Sequence, residues 1–297
     1  VAMPPITGVK SESEKFAGAV RTLGCEALMQ DNKALQAGTS HFLGQNFARQ
    51  FDLKFQSEAG QEEYAWNTSW GVSTRLIGGL VMTHGDDVGI VVPPRLAPSQ
   101  VVVVPIWRKE EEGVAVKEKA DQVAARLRDT GVRVKLDARE HLTPGAKFWE
   151  WERKGVPFRI EIGPKDLAKE QVVMVRRVTM DGQNRKEFLP EAHAIAEMPK
   201  ELDAFQAALL QQARERREAN SYRGVSDLSQ LKEIMDGPGG FVYTGWNGDP
   251  EVEEMVKEET KATIRVIPDE EFRSETPPEK CIGGGEAKME IVLSKAY

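Results

Sequence analysis

The sequence predicts a multidomain protein of the α/β and α+β classes. Its 297 residues are enough for two or three domains. Residues 101–106 read VVVVPI, a continuous apolar run typical of a strand buried on both faces. A helical pattern follows, and then the alternating strand VRVKLD at 132–137, which together predict a strand–helix–strand unit. Before residue 101 the short predicted strands lack long crossovers, so antiparallel pairing is expected there.

Shifts in pattern and composition divide the chain into three predicted domains, residues 1–100, 101–216 and 217–297. In the first, residues 13–30 have a helical pattern, and QAGTSH at 36–41 is predicted to be a loop before a second helix. A Ser/Thr cap signal opens a third helix, STRLIGGLVMTHGD. The run GIVVPP at 89–94 is predicted to be a buried strand that ends at its prolines.

The second predicted domain continues with the helix TPGAKFWEWERKG at 143–155 and two strands, VPFRIEIG and QVVMVRRV. A long amphipathic helix at 201–220 leads out of this domain. In the third predicted domain, DP at 249–250 marks a helix start, since Asp caps and Pro fits the first turn. ATIRVIP and MEIVLSKAY are predicted strands, with an acidic, proline-rich loop between them.

Composition excludes several classes of protein. No apolar run approaches the roughly 18–20 residues that a membrane helix needs, and no signal peptide is recognisable. Cys25 and Cys281 are far apart and give no disulfide framework, so we expect a cytoplasmic protein. The first residue is Val1 rather than Met, so a fragment or a processed product is expected.

The charge distribution leaves the partner open. Net charge is −7, which argues against nucleic acid. Residues 147–186, however, contain 10 basic and 6 acidic residues, a local excess of +4. These charges could bind RNA if they share a face, although a mixed, solvated surface explains the counts equally well.

Two residues of the first domain are candidates for chemistry. Arg75 lies in the first turn of its predicted helix, where a cation opposes the partial positive charge of the helix N-terminus. A bound phosphate would remove that conflict, and so would a nearby carboxylate. His41 lies between polar residues and is a candidate ligand-binding group, although a lone histidine is more often part of a core. Phe16 and Trp70 are candidate walls of an apolar pocket, with the same alternative.

Four stretches of sequence together resemble the prolyl-tRNA synthetases, class II aminoacyl-tRNA synthetases, in their archaeal/eukaryotic-like form. They are ALQAGTSHFLGQNFARQF, NTSWGVSTRLIGGLVMTHGDDVGIVVPPRLAP, KFWEWERKGVPFRIEIGPKDL, and a tail that contains ETKATIRVIP, EKC and KAY. They occur in the order of the family. The resemblance implies the distal half of an antiparallel class II catalytic domain, an anticodon-binding domain with a mixed sheet, and a small C-terminal α/β domain.

The resemblance also assigns roles to residues. It implies ATP binding by Gln36, Thr39, Ser73 and Arg75, with Arg75 as the catalytic arginine that holds the phosphates. It implies a proline pocket formed by Phe16, His41, Trp70 and Gly71, and contacts to anticodon bases by Glu152 and Arg159. For Glu152 an intrahelical salt bridge is the alternative. The implied reaction is ATP- and Mg²⁺-dependent formation of prolyl-adenylate, followed by transfer of proline to tRNA(Pro), in a cytoplasmic homodimer.

The sequence departs from the family in two respects that affect function. Class II motifs 1 and 2 would lie before residue 1, so we expect this chain to be unable to activate proline alone. Many relatives carry four zinc-binding cysteines near the C-terminus, whereas here only Cys281 remains, and Asn247, Val252 and Gly284 stand at the other places. No zinc is therefore expected. The alternative function is a non-catalytic tRNA-binding module derived from a synthetase.

Overall fold

The computed structural model describes residues 1–180 and 182–297. In chain order the strands are β1 (Ile6–Val9), β2 (Arg21–Leu28), β3 (Ala34–Gly44), β4 (Lys54–Gln56), β5 (Glu62–Tyr64), β6 (Asn67–Gly71), β7 (Val101–Pro105), β8 (Val134–Leu136), β9 (Phe158–Ile162), β10 (Gln171–Arg176), β11 (Lys186–Pro190), β12 (Ser221–Val225), β13 (Phe241–Trp246), β14 (Thr263–Pro268) and β15 (Met289–Ser294). The α-helices are α1 (Asn46–Gln50), α2 (Arg75–His84), α3 (Glu110–Asp129), α4 (Pro144–Arg153), α5 (Pro164–Leu167), α6 (Glu191–Ala219), α7 (Leu228–Asp236) and α8 (Pro250–Thr260).

The chain forms two compact units. The first, which we call the sheet-and-helix unit, comprises Val1–Ala2 and His84–Ala213. The second, which we call the large-sheet unit, comprises Met3–Thr83 and Arg214–Tyr297. None of the described helices is both long enough and apolar enough to cross a membrane.

The large-sheet unit is built on one eight-stranded sheet in the order β12-β13-β15-β14-β1-β2-β3-β6. All neighbours pair antiparallel except β12 and β13, which confirms the antiparallel pairing predicted for the first block. Strand β1 joins the two halves by pairing with β14 on one side and β2 on the other. The approach is close at Gly8, where an added Cβ would lie 2.1 Å from the carbonyl oxygen of Ile267.

A buried ion network also joins the two halves of this sheet. The Glu26 carboxylate is fully buried in β2 and accepts hydrogen bonds from Lys10 Nζ at 2.7 Å and from Arg265 Nε and Nη2 at 3.0 and 2.9 Å. Burial lowers the pKa of Lys10, although Glu26 opposes that shift. Strands from residues 1–100 and from 217–297 thus share one sheet, while the three-domain division of the sequence stays a prediction.

Three local predictions for the first block were wrong. Residues 21–28 form β2 and not part of a helix, because each second residue packs inward in the sheet. The QAGTSH segment lies inside β3, because β2 and β6 pair with it on both sides. GIVVPP is not a strand: Ile90 and Val92 donate backbone hydrogen bonds to the 153–155 turn instead.

The sheet-and-helix unit contains a mixed five-stranded sheet in the order β11-β10-β9-β7-β8. β7 pairs parallel with β8 and β9, which confirms the predicted strand–helix–strand unit, and β9, β10 and β11 pair antiparallel. One face of this sheet packs against α3 and α6 to form the largest apolar core. On the other face, α4 covers only part of the sheet.

The predicted starts of helices α4 and α8 are confirmed by hydrogen bonds to their N-cap side chains. Thr143 accepts a hydrogen bond from Ala146 N at the start of α4, and Asp249 accepts one from Glu251 N at the start of α8. Helix α6 begins ten residues before the predicted start, at Glu191, and includes Pro199.

Candidate functional site

His41 is the centre of a polar cluster on the large sheet. It lies on β3, directly opposite Thr22 of β2 and Ser69 of β6. Hydrogen bonds of 3.0 Å join His41 Nδ1 to Thr22 Oγ1 and His41 Nε2 to Thr39 Oγ1. Because both ring nitrogens are bonded, the orientation of the imidazole is fixed. Sequence analysis missed Thr22; its place opposite His41 depends on strand register, which no local pattern reveals.

Phe16 closes one side of this cluster. Its ring centroid lies 4.9 Å from that of His41, and its backbone N–H donates to Thr22 Oγ1 at 3.2 Å. Phe47 of α1 stacks on the outer side of Phe16 at 6.2 Å. Half of the Phe16 surface remains exposed. The predicted neighbours Phe16, Thr39 and His41 are therefore brought together, with an apolar wall beside a fixed imidazole.

Arg75 stands at the first residue of α2, beside the same sheet. Its backbone N–H donates to Ser73 Oγ at 3.3 Å, and its Nη1 lies 3.5 Å from the carbonyl oxygen of Gln36. Within the described part of the chain no carboxylate forms an ion pair with Arg75, so the carboxylate alternative is not adopted. The arrangement places an exposed guanidinium and a helix N-terminus together, which is a suitable site for a phosphate.

Trp70 is not brought to the His41 cluster. It lies opposite Ser40 in the sheet, so its side chain is on the face opposite to that of Thr39 and His41. Trp70 is 79% exposed and lines an open cleft of ≈ 580 Å³ together with Leu23 and Val72. Gly71, by contrast, lies opposite Thr39, and an added Cβ there would meet no atom within 4 Å. Whether Trp70 and Gly71 contact proline stays a prediction.

In the other unit, the two predicted base-reading residues lie in two separate groups of ion pairs. Glu152, on α4, forms an ion pair with Arg185 rather than an intrahelical one. Arg159, on β9, donates to Glu161 Oε1 at 2.9 Å and stacks its guanidinium on the ring of Phe148 at 4.1 Å. Lys186 Nζ donates to the other Glu161 oxygen at 3.0 Å.

Arg159, Glu161 and Lys186 lie on the sheet face that α3 and α6 leave uncovered. Register places Glu161, Val173 and Phe188 in one row across β9, β10 and β11. The row opens into a cleft of ≈ 650 Å³ at the carboxyl ends of β7 and β9. Sequence analysis missed Glu161 and Phe188, although the alternation of RIEI places Arg159 and Glu161 on one face.

Helix α4 is held to its unit by a buried carboxylate. Asp137 accepts hydrogen bonds from Trp151 Nε1 at 2.7 Å and from Arg139 Nη2 at 2.7 Å. Burial opposes ionisation of Asp137, but these hydrogen bonds prevail and keep its pKa below the ordinary range. Arg177 donates to the carbonyl of Glu152 at 2.9 Å and forms two hydrogen bonds of 2.8 and 2.6 Å with Asp86. Glu152 is therefore presented on a firmly anchored helix end.

The place predicted to have lost zinc is closed by apolar packing. Cys281 is buried, and Ile282 and Val252 pack in the same cluster. Gly284 N donates to the Cys281 carbonyl at 2.8 Å, so the knuckle turn is formed. The described residues contain no group of three or more His, Cys, Asp or Glu side chains placed to hold a metal ion.

Two protein-family models match separate parts of this chain. The model described as "Anticodon binding domain" matches residues 100–202. The model described as "Prolyl-tRNA synthetase, C-terminal" matches residues 228–297.

Curated relatives carry the name proline–tRNA ligase. The one from Salinibacter ruber is 47% identical over 298 aligned residues, which cover 100% of this chain and 59% of the relative. The one from Chloroflexus aurantiacus is 48% identical and is covered to 60%. The chain thus spans about three fifths of the length of the curated relatives it matches.

Solved structures give the same result for the fold. The prolyl-tRNA synthetase from Cryptosporidium parvum complexed with L-proline and AMP is 36% identical, with a TM-score of 0.86, and the match covers 100% of this chain and 62% of that one. The same enzyme complexed with halofuginone and AMPPNP gives a TM-score of 0.88 at 36% identity.

Proposed function

Because this chain corresponds to the C-terminal portion of prolyl-tRNA synthetases, we propose that it works as part of a proline–tRNA ligase. The observation that carries the proposal is the similarity of all 297 residues to ligases at 47–48% identity. That similarity extends across the His41 cluster and the anticodon-binding unit. The protein would form prolyl-adenylate from proline and ATP and transfer the prolyl group to tRNA(Pro).

Phe16, His41 and Gly71 would form the side of the proline pocket that this chain supplies. The hydrogen bonds of His41 to Thr22 and Thr39 support this role, because they hold the imidazole edge in place beside the Phe16 ring. Trp70, the residue before Gly71 on β6, belongs to the same proposed proline pocket as part of the strand that forms its floor.

Gln36, Thr39, Ser73 and Arg75 would bind ATP. The exposed guanidinium of Arg75 at the start of α2 would hold the phosphates and stabilise the charge that develops on pyrophosphate as it leaves. The proline carboxylate attacks the α-phosphorus, and the bond to the bridging oxygen of pyrophosphate breaks. No side-chain nucleophile is required, because the work is positioning and charge neutralisation.

Mg²⁺ would accompany ATP in such a reaction by shielding its phosphates. The described residues contain no group of three or more His, Cys, Asp or Glu side chains placed to hold a metal ion. We also expect no zinc, because the knuckle at Cys281 is held by apolar packing. Homodimer formation and a cytoplasmic location belong to the same proposal.

Glu152 and Arg159 would read anticodon bases in the sheet-and-helix unit. Their carboxylate and guanidinium suit the exposed base edges of an unpaired loop. In the free protein both side chains are held by partners, Arg185 and Glu161, that RNA would have to displace or share.

Proline-dependent exchange of pyrophosphate into ATP tests the proposal. We expect no exchange by residues 1–297, and exchange by a longer protein in which class II motifs 1 and 2 precede residue 1. Arg75→Ala in that longer protein should lower the exchange rate roughly 100- to 1000-fold. Arg49→Ala, which removes an exposed arginine of the same unit, is the matched control and should leave the rate unchanged.

A folded longer protein that binds tRNA(Pro) but shows no exchange would overturn the ligase proposal. That result would favour the alternative, a tRNA-binding module derived from a synthetase.

A further inference from the structure

Phe188, in the sheet-and-helix unit, has an exposed aromatic ring. It is 62% exposed and lies on β11, the edge strand of the sheet. It faces away from the apolar core, which takes Leu189 from the same strand. Exposure of a phenyl ring in an open cleft is unfavourable, so a ligand that covers it would gain the transfer free energy of that surface.

The cleft around Phe188 has a composition that favours a polyanion. Its cations are Arg108, Lys109, Lys165, Lys169 and Lys186, and its acids are Glu112, Glu161 and Asp166. Two of those acids already have partners. Glu161 is bonded to Arg159 and Lys186, and Asp166 accepts hydrogen bonds from Gly163 N at 2.9 Å and Gln171 Nε2 at 3.0 Å.

The geometry around the ring is that of a stacking platform. Lys186 Nζ lies 5.9 Å from the Phe188 centroid, and Trp107 lines the same cleft with Lys117 Nζ 4.8 Å from its ring. Glu161 stands in the same row as Phe188, across Val173. Flat aromatic surface beside cations and a hydrogen-bonding carboxylate is the combination by which proteins hold unpaired bases.

We propose that Phe188 is a base-stacking residue for an unpaired nucleotide of RNA, with Lys186 on the adjoining phosphate. This inference rests on the proposed function, because tRNA(Pro) would supply the RNA. It adds a contact that carries affinity through stacking, separate from base reading by Glu152 and Arg159. The size of the cleft, ≈ 650 Å³, is sufficient for a nucleotide.

Binding of a tRNA(Pro) transcript to variants of the 297-residue chain tests the inference. Phe188→Ala should raise the Kd roughly 10-fold, whereas Phe188→Tyr should stay within about 2-fold, because tyrosine keeps the ring face. Phe188→Leu keeps an apolar side chain but has no ring, so it should behave like the alanine variant. Phe55→Ala, which removes an exposed Phe of the β4–β5 hairpin, is the matched control and should not change the Kd.

The salt dependence gives a readout that a merely structural role would not alter. Phe188→Ala should leave the slope of log Kd against log salt unchanged, because stacking releases no counterion. Lys186→Ala should reduce the slope by about 0.7 to 0.9, the value for one phosphate contact. Circular dichroism and hydrogen exchange of each variant check that the unit is folded.

The outcomes separate the two proposals. Wild-type protein that fails to bind tRNA(Pro) would overturn the proposed function itself. Wild-type binding with an unchanged Kd for Phe188→Ala, or equal affinity of the Leu and Tyr variants, would overturn only the stacking role. Displacement of the RNA by millimolar ATP would assign the platform to a free nucleotide and overturn the RNA assignment.

Discussion

The two units of this chain differ in how they treat apolar surface. In the sheet-and-helix unit, α3 and α6 close one sheet face into a core that includes Phe158, Met198 and Phe205. In the large-sheet unit, residues 16–81 leave large apolar side chains in solvent, among them Trp70 and Val72 at 79% and 73% exposure. Exposed apolar surface of this extent is typical of an interaction site rather than of a surface that faces only solvent.

The two units therefore present different kinds of surface. A unit with a closed core can present a rigid polar cleft, as the cleft beside Phe188 is presented. The first part of the large-sheet unit has fixed polar groups, such as His41, beside apolar faces that have no cover within the described residues. The chain spans about three fifths of the length of the curated relatives it matches.

The largest expected effect is on the free energy of unfolding, where a buried aromatic residue and an exposed one should differ when substituted. Phe158 is 2% exposed and meets Phe205 edge-on at 6.1 Å, so Phe158→Ala should lower the free energy of unfolding by about 3–5 kcal/mol. Trp70→Ser should change it by less than about 0.5 kcal/mol in this chain, because no contact of a closed core is lost. Denaturant unfolding combined with hydrogen exchange, which separates the two units, makes the measurement. A loss of several kcal/mol for Trp70→Ser would contradict the statement that Trp70 belongs to no closed core.

A smaller effect concerns acid stability of the sheet-and-helix unit. Hydrogen bonds from Arg177 hold the pKa of Asp86 at about 2. A lowered pKa stabilises the folded state above the ordinary value near 4, and the contribution disappears as pH falls from about 4 to about 2. Because Asp86 is partly exposed, solvent screening reduces this contribution to roughly 1 kcal/mol.

The Asp86→Asn variant should therefore be less stable than the wild type by about that amount at pH 7. As pH falls toward 2 the wild type loses the contribution of Asp86 and the variant has none to lose, so the difference between the two proteins should shrink. Unfolding free energies of the wild type and the variant at pH 7 and pH 2.5 test it. The expectation fails if the difference between the two proteins is the same at both pH values.

The smallest effect lies at the end of the large-sheet unit. Desolvation and a hydrogen bond to Asp31 raise the pKa of Tyr297 to about 12. A raised pKa keeps the folded-state hydroxyl protonated, so its contribution is present below pH 10 and is lost as pH rises from about 10 to 12. Ultraviolet titration should show the last tyrosine to ionise moving to lower pH in Asp31→Asn. An unchanged titration would show that Asp31 does not raise the pKa of Tyr297.

Much of the fold was predictable from local pattern. The run VVVVPI, the capped helix at Pro144 and the Asp249–Pro250 helix start follow from side-chain periodicity and from the chemistry of helix ends. Those signals act over a few residues and do not depend on distant partners. The helical assignment of residues 13–30 failed for the opposite reason, because pairing of β2 with β1 and β3 overrides a local preference.

The candidate site was predictable in part. The resemblance placed Phe16, Thr39, His41 and Arg75 in one site, and the structure brings the first three into contact. It also assigned Trp70 to the proline pocket. The Trp70 side chain lies on the sheet face opposite to that of His41, and its contact with proline stays a prediction.

Local sequence was sufficient for the resemblance to a family, the capped helices, the parallel unit around β7 and the residue types available for binding. These depend on composition and on short-range spacing, which the chain carries without reference to distant partners. Three other features required the folded chain: β1 joins the first and last blocks in one sheet, Thr22 fixes His41, and Phe188 stands in a row with Glu161. Each of these depends on strand register, which is set by pairing between residues far apart in the chain.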